Sequence, residues 1–510
     1  MTLIISGERK ISYPEIHARI AQAATGFRAI GLGGGTPVAM MLRNDFAFFE
    51  VSGGAAALGS PVVPINWHLK AEEVGYILAD SGAEILVCHA DLLPQIRDGL
   101  PGHLRLLVVT TPPEIAAAFN VAAALTHVPD GMTDWDSWRE AHAASQEPPL
   151  GSSPMFYTSG TTGLPKGVRR KPMKPEQLAA SARVGSIAYG IKADDDQVIL
   201  MNGPMYHSAP SSYGMLAFRN GCKIVLEPRF DPEDMLQLIA RHGITHMHMV
   251  PTMFVRLLRT PDGVKRRYDL SSLRFIVHGA APCPPQVKRA MIDWWGPVVH
   301  EYFGSTETGI PVWHSAEEAL AKPGPVGRAI EGGIVKIFRP DGELCNVNEA
   351  GEIFMRQIAT SDFDYHGNAE ARAEAGRDGL VSVGDVGYLD ADGYLFLCDR
   401  KRDMVISGGV NIYPAEIENA LIGMEGVRDC AVFGIPDHEF GERLFACIEP
   451  DTDAALSSGA VQEFLRGRLA NFKVPKDVAF LDALPREASG KIFKRKLRDL
   501  HAEGRIRASA

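Results

Sequence analysis

One stretch concentrates groups that could hold phosphate: Tyr157-Thr158-Ser159-Gly160-Thr161-Thr162-Gly163-Leu164-Pro165-Lys166-Gly167-Val168. Between Thr158 and Gly167 lie four hydroxyl side chains, three glycines and one lysine. Glycines let a backbone turn its N–H groups toward an anion, hydroxyls add donors, and a lysine adds charge. The order GxxxxGK[ST] is absent, so this is not a Walker A loop. A Ser/Thr/Gly surface loop has similar composition, but the density of donors and the closing Pro-Lys-Gly favour a phosphate cradle. A second stretch, Tyr302-Phe303-Gly304-Ser305-Thr306-Glu307-Thr308-Gly309, follows the apolar Pro297-Val298-Val299. A carboxylate beside hydroxyls at a strand end suits Mg²⁺, which takes oxygen ligands and shares them with phosphates. An aromatic next to glycine can stack on a flat base. Two further groups are ambiguous alone. Asp385, in Gly384-Asp385-Val386-Gly387, either satisfies its own turn or binds a ligand hydroxyl. Lys491 stands near Lys494, Arg495, Lys496 and Arg498, a run that by itself reads as a solvated face.

These groups need a scaffold that ends strands in loops, and the chain supplies one. Ser12-Tyr13-Pro14-Glu15 reads as a capping box, and Ile16, Ile20, Ala24, Phe27 and Ile30 then fall on one helical face. Short apolar runs at Val38–Leu42, Ile85–Val87, Leu106–Val109, Ile199–Met201, Lys223–Leu226, His246–Val250 and Phe275–His278 alternate with helical segments. That alternation predicts α/β layers with largely parallel sheets. Gly31-Leu32-Gly33-Gly34-Gly35 follows a helix and precedes a strand, the wrong order for a dinucleotide turn, and reads as a linker. From about residue 335 Gly/Asp turns separate short strands, which predicts an antiparallel region. After Asp399-Arg400-Lys401-Arg402-Asp403 a new unit begins, with a helix near Ala415–Ile422, strands near Cys430–Gly434 and Leu444–Glu449, and a helix near Val461–Leu469.

The 510 residues, 45% hydrophobic and 22% charged, require more than one core. A net charge of −10 argues against non-specific nucleic-acid binding, so no nucleic-acid partner is expected. No apolar run spans a bilayer, and Met1 to Lys10 lacks a signal-peptide core. Seven scattered cysteines without a CxxC pair read as free thiols in a cytoplasmic protein rather than disulfides or a zinc site.

Taken together, the motifs resemble those of the adenylate-forming superfamily, which includes acyl-CoA synthetases, luciferases and peptide-synthetase adenylation domains. The 157–168 stretch is similar to its phosphate loop and 302–307 to its [YF]GxTE motif. Met205-Tyr206-His207-Ser208 resembles the segment by the acyl pocket, Gly279-Ala280-Ala281-Pro282 the adenine edge, and Gly384 to Tyr388 the ribose motif. Asp399 to Asp403, then Ser407-Gly408-Gly409-Val410, resemble the hinge and the loop after it. Pro485-Arg486 with Gly490-Lys491 resembles the C-terminal catalytic motif.

The resemblance implies an α/β fold: a large N-terminal domain (1–399) with two stacked α/β sheet subdomains plus a β-rich subdomain, a hinge (400–403), and a small mobile α+β C-terminal domain (404–510). It implies ATP, Mg²⁺ and coenzyme A as ligands. Thr158, Ser159, Gly160, Thr161, Thr162, Gly163 and Lys166 would hold phosphates. Gly279, Ala280, Ala281 and Phe303 would flank adenine, and Asp385 and Arg400 would bind ribose. Thr306 would meet the α-phosphate, Glu307 the metal, and Lys491 the attacking carboxylate. Gly408 and Gly409 would border the thiol channel after rotation about Arg402, where many relatives carry Asp or Lys.

Tyr206, His207, Ser208, Tyr213, His278, Gly304 and Ile310 would line the acid pocket. His207 stands where peptide-synthetase domains carry an Asp for the substrate amine, which argues against an amino acid. The expected activity is an AMP-forming acyl-CoA synthetase, its acid a medium or long fatty acid. An arylpropenoate or steroid side chain as acid, or a carrier protein as acceptor, remains the alternative. A homodimer is the commonest closed assembly.

Overall fold

The computed structural model describes residues 3–158, 165–193, 196–407, 410–451, 454, 456–486 and 492–509. Five parallel strands form the first sheet, in the order Val62–Pro64, Val38–Met41, Ile85–His89, Arg105–Val109, Thr133–Asp134. The strands at 38–41, 62–64 and 85–89 are buried along their whole length, as near-continuous apolar runs require when helices cover both faces. The helix Tyr13–Ala29 begins as its sequence indicates: Ser12 Oγ accepts from Glu15 N at 3.3 Å. Only half of the capping box forms, because the Glu15 carboxylate turns to Arg19, 2.7 Å away. This helix packs against Phe46–Ala57 through a glycine contact: a Cβ on Gly54 would stand 2.9 Å from Ala23 Cβ and 3.2 Å from Ala24 N, so the backbones approach only because it is absent.

The second sheet has fifteen strands. Its central strands Leu3–Ser6, Lys223–Leu226, Val198–Met201, His246–Met249, Phe275–His278 and Val299–Ser305 run parallel. At Gly309–His314 the pairing turns antiparallel and stays so through Gly327–Ala329, Tyr394–Arg400, Asp385–Leu389 and Gly351–Gln357. The turn-rich region therefore extends the second sheet by hydrogen bonds rather than standing apart. A third, three-stranded sheet joins Phe363–Tyr365, Lys166–Arg170 and Phe156–Thr158.

Beyond residue 404 lies a smaller unit with its own sheet. Val410–Ile412, Val405–Ser407, Gly441–Pro450 and Val427–Asp437 pair antiparallel, and Asp477–Phe480 adds a parallel strand. The helices Pro414–Leu421 and Ser458–Arg466 seat Ile417, Leu421, Val461 and Leu465 in its core. The whole is a mixed α/β chain with a large N-terminal and a small C-terminal domain.

Buried histidines on the second sheet set an acid limit. Burial pushes His248 and His300 down to about 4 and His278 to about 3, so all three are neutral in the folded protein. In the unfolded chain they take up protons near pH 6.5. Stability is thus intact above that value and falls as pH drops toward 4, by about 1.4 kcal/mol per histidine per pH unit. We expect the melting temperature to drop steeply between pH 6.5 and 5; a flat profile there would contradict neutral burial.

Candidate active site

The turn after Val299–Ser305 is built by its own side chains. Ser305 Oγ accepts from Glu307 N at 3.2 Å and from Thr308 N at 3.1 Å, and Ser305 N donates to Thr308 Oγ1 at 3.0 Å. Gly304 permits this: a Cβ there would lie 2.0 Å from Gly309 O. The turn presents Glu307, whose Oε1 accepts from Thr158 Oγ1 at 3.3 Å and from Tyr365 Oη at 3.2 Å. Thr306 Oγ1 meets Ser208 Oγ at 2.7 Å, at the start of the helix Ser208–Arg219. Behind them, half-buried Arg170 donates to Ser361 O at 2.5 Å and to Thr306 O. Burial pushes its pKa down to about 10, partly offset by the Glu307 charge, and it stays a cation.

The structure thus brings Thr158, Ser208, Thr306 and Glu307 to one place, as the motifs predict. Lys166 joins them, its Nζ 5.4 Å from the Tyr365 ring centroid. Thr158 and Lys166 are cross-strand partners. Ser159, Gly160, Thr161, Thr162 and Gly163 lie outside the described residues. Tyr365 and Arg170 were not foreseen. They come from the small third sheet, and no local pattern marks them.

Gly279, Ala280 and Ala281 follow the strand Phe275–His278. Ala280 takes φ +65°, a left-handed conformation that costs a non-glycine residue about 1 kcal/mol and concentrates at functional sites. Phe303, half-buried, stands on the neighbouring strand. Asp385 and Arg400 face each other across adjacent strands, Oδ1 to Nε 3.1 Å, so the two ribose-binding candidates form one ion pair.

The acid-pocket residues divide. Tyr213 and Ile310 belong to the core between the second sheet and the 208–219 helix, and Gly304 stands on the strand Val299–Ser305. His278 faces the opposite side, since strand side chains alternate, and packs edge-on against Phe254 at 5.1 Å. It also lies 3.9 Å from Glu301, itself bonded to Lys288 and to His314 at 2.9 Å. Tyr206 turns to the first sheet, edge-on to Trp67 at 4.6 Å, and His207 packs on Tyr206 at 4.4 Å.

At the domain junction Asp399 Oδ1 accepts from Arg400 N at 2.7 Å, and Oδ2 from Ala415 N at 2.8 Å. Arg402 is exposed, while Asp403 pairs with Arg498 at 2.9 Å. Gly408, Gly409 and Lys491 lie outside the described residues. Ser407 and Val410, flanking the glycines, are paired, and Arg486 is bridged to Ile492 next to the lysine.

An oxygen-only set of one carboxylate and two hydroxyls around Glu307 suits a hard cation such as Mg²⁺ shared with phosphate. Such a set at the end of a sheet strand, with Thr158 and Lys166 beside it, is the chemistry of a nucleotide-binding site. The chain belongs to the AMP-binding enzyme family: the family model of that name matches residues 1–361, and that of the AMP-binding enzyme C-terminal domain matches residues 416–491. It is an adenylate-forming acid–thiol ligase.

Feruloyl-CoA synthase of an Amycolatopsis species is 34% identical over 98% of this chain and 95% of its own length. Long-chain-fatty-acid–CoA ligase FadD13 of Mycobacterium tuberculosis is 31% identical over 98% and 94%. The structure of O-succinylbenzoate coenzyme A synthetase from Bacillus subtilis with ATP and magnesium ion matches at a TM-score of 0.82 and 27% identity, over 98% of this chain and 97% of that one. Among the described residues no helix is long and apolar enough to cross a membrane.

Proposed function

We propose that this ligase joins a carboxylic acid to coenzyme A in two half-reactions, with Glu307 as the magnesium contact. The observation that carries the reading is the convergence of Thr158 and Ser208, from two separate segments, on the Thr306-Glu307 turn. Carboxylates do not react with thiols, because hydroxide or oxide would have to leave. In the first step the substrate carboxylate attacks the α-phosphorus of ATP, and pyrophosphate leaves. Negative charge builds on the phosphoryl oxygens, so positioning and electrostatics carry the rate. When bound, Mg²⁺ neutralises charge on the phosphate oxygens. Thr158, Lys166 and the loop hydroxyls would orient the departing phosphates, Thr306 would donate to the α-phosphate, and Lys491 would bridge carboxylate and phosphate. In the second step the thiolate of coenzyme A attacks the acyl carbonyl, and AMP leaves.

The two steps ask for different residues at one place. We place the boundary at 400–403, with 1–399 and 404–510 as rigid parts and Arg402 as the pivot. The Arg402 side chain is exposed on the turn between Arg400 and Met404, while Asp399 and Asp403 are tied on either side. Rotation would withdraw Lys491 and bring Gly408 and Gly409 to the thiol channel. A proline at 402 fixes φ and removes that freedom. Arg402→Pro is expected to keep acid-dependent pyrophosphate exchange within about threefold and to lower thioester formation by roughly two orders of magnitude, the scale of one lost catalytic contribution. Equal loss in both steps would sink the pivot. Product mass with coenzyme A tests the acceptor: an acyl-AMP that never becomes a thioester would point to a carrier thiol. The relatives named divide between an aryl and a long-chain acid, so the acid set in any assay must include both.

A further inference from the structure

The small third sheet turns one face to the Thr306-Glu307 turn. In that sheet Thr158 pairs with Lys166, Val168 with Tyr365, and Arg170 with Phe363. Cross-strand partners share a face, and so do alternate residues of one strand. Thr158, Lys166, Arg170 and Tyr365 therefore stand on one side, and three of them reach the turn. Arg170 donates to Thr306 O, while Thr158 Oγ1 and Tyr365 Oη meet Glu307 Oε1 at 3.3 and 3.2 Å. Tyrosine keeps its proton at neutral pH and a carboxylate only accepts, so the bond runs from Tyr365 to Glu307. Both hydroxyls thus fall on the same carboxylate oxygen. Glu307 Oε2 has no donor among the described residues. Tyr365 is itself held at two points. Its backbone oxygen accepts from Asn368 N at 3.0 Å, and its ring packs edge-on against buried Phe363 at 5.2 Å.

Resting on the metal role of Glu307 given above, we propose that Tyr365 is a positioning residue: its hydroxyl, with that of Thr158, holds Glu307 Oε1 and leaves Oε2 as the oxygen that meets magnesium. Carboxylates that ligate a metal are themselves hydrogen-bonded, and loss of those partners weakens metal binding. Two effects of the hydroxyl oppose each other. A donor on Oε1 draws charge from the carboxylate and weakens its pull on a cation. The same donor fixes the carboxylate, so the glutamate side chain need not be ordered when the metal binds. The second effect wins here. The donor is neutral and draws little charge, and it sits on the oxygen that the metal does not need, so binding displaces neither hydroxyl. The same sheet face carries Thr158 and Lys166, which flank the phosphate-binding segment, so one small sheet relates that segment to the carboxylate.

The test uses Tyr365→Phe, which keeps the ring that Phe363 and Lys166 face and removes the donor. Calorimetry of ATP binding at rising magnesium, without acid or coenzyme A, gives the half-saturating magnesium concentration apart from any turnover. That concentration is expected to rise about tenfold, the low end for losing a group that holds a metal ligand, since Thr158 remains. The adenylation rate should fall by a similar factor at limiting magnesium and return to within about threefold of wild type at saturation, because the carboxylate that meets the metal is still there. In a Glu307→Gln background the same substitution should change nothing further, since a residue acting through another is not additive with it. The ligand-free melting temperature should stay close to that of the wild type. An unchanged half-saturating concentration, or the same tenfold rise in the Glu307→Gln background, would overturn the assignment. A lower concentration would overturn it as well, and would mean that the hydroxyl competes with the metal. A lowered melting temperature with every magnesium response unaltered would leave Tyr365 a packing residue. If wild-type ATP binding ignores magnesium, or Glu307→Gln leaves that response as it was, the metal role of Glu307 fails first and this assignment with it.

Discussion

Replacing Glu307 by Gln is expected to slow acid-dependent AMP formation about 10²–10³-fold, the scale of removing one electrostatic contact at a developing charge. The substitution isolates the charge. A glutamine oxygen still accepts from Thr158 Oγ1 and Tyr365 Oη, which lie 3.3 and 3.2 Å from the carboxylate, so the turn keeps its bonds. What disappears is the anion that would hold the magnesium ion against the phosphates. Part of the loss should return at high magnesium concentration, because the remaining oxygens still coordinate weakly. Rates measured across a magnesium titration check both points. A change under threefold, with unaltered magnesium dependence, would remove Glu307 from the metal contact.

Replacing Lys491 by Ala is expected to cost about 10²–10³ in the adenylation step alone. Thioester formation from presynthesised acyl-adenylate should stay within a few-fold of wild type, since the proposed rotation withdraws this lysine before the thiol arrives. Neighbouring cations serve as contrast. Lys494 pairs with Glu418 at 2.8 Å and Arg498 with Asp403 at 2.9 Å, both inside the small domain or at its junction. Lys494→Ala would leave the half-buried Glu418 carboxylate with only Val432 N as its donor and should lower stability by about 1–3 kcal/mol, a different signature from lost catalysis. Single-turnover assays of the two half-reactions separate these cases. Equal loss in both by Lys491→Ala would contradict the assigned role.

Local chemistry was legible where it is written in consecutive residues. The strands Lys223–Leu226 and Phe275–His278 fall where their apolar runs stand, and Ser305, Thr306 and Glu307 make the turn their types suggest. The three-dimensional neighbours were not legible. Tyr365 reaches Glu307 from 58 positions away and Arg170 reaches Thr306 from 136, through a sheet whose strands carry no motif. The acid pocket shows the same limit. Position in a motif placed Tyr206, Tyr213 and His278 together, but strand alternation sends His278 to the other face and Tyr206 joins the core of the first sheet. The charged run after Lys491 likewise divides only in three dimensions, into structural pairs at Lys494 and Arg498.

The most direct measurement of the central claim is AMP release from ATP and magnesium with a panel of aromatic and aliphatic carboxylic acids, each with and without coenzyme A. The account predicts that one class of acid drives AMP release and that coenzyme A accelerates it by turning over the adenylate. AMP release or pyrophosphate exchange that coenzyme A does not change would contradict the second half-reaction, and no response to any acid would contradict the first.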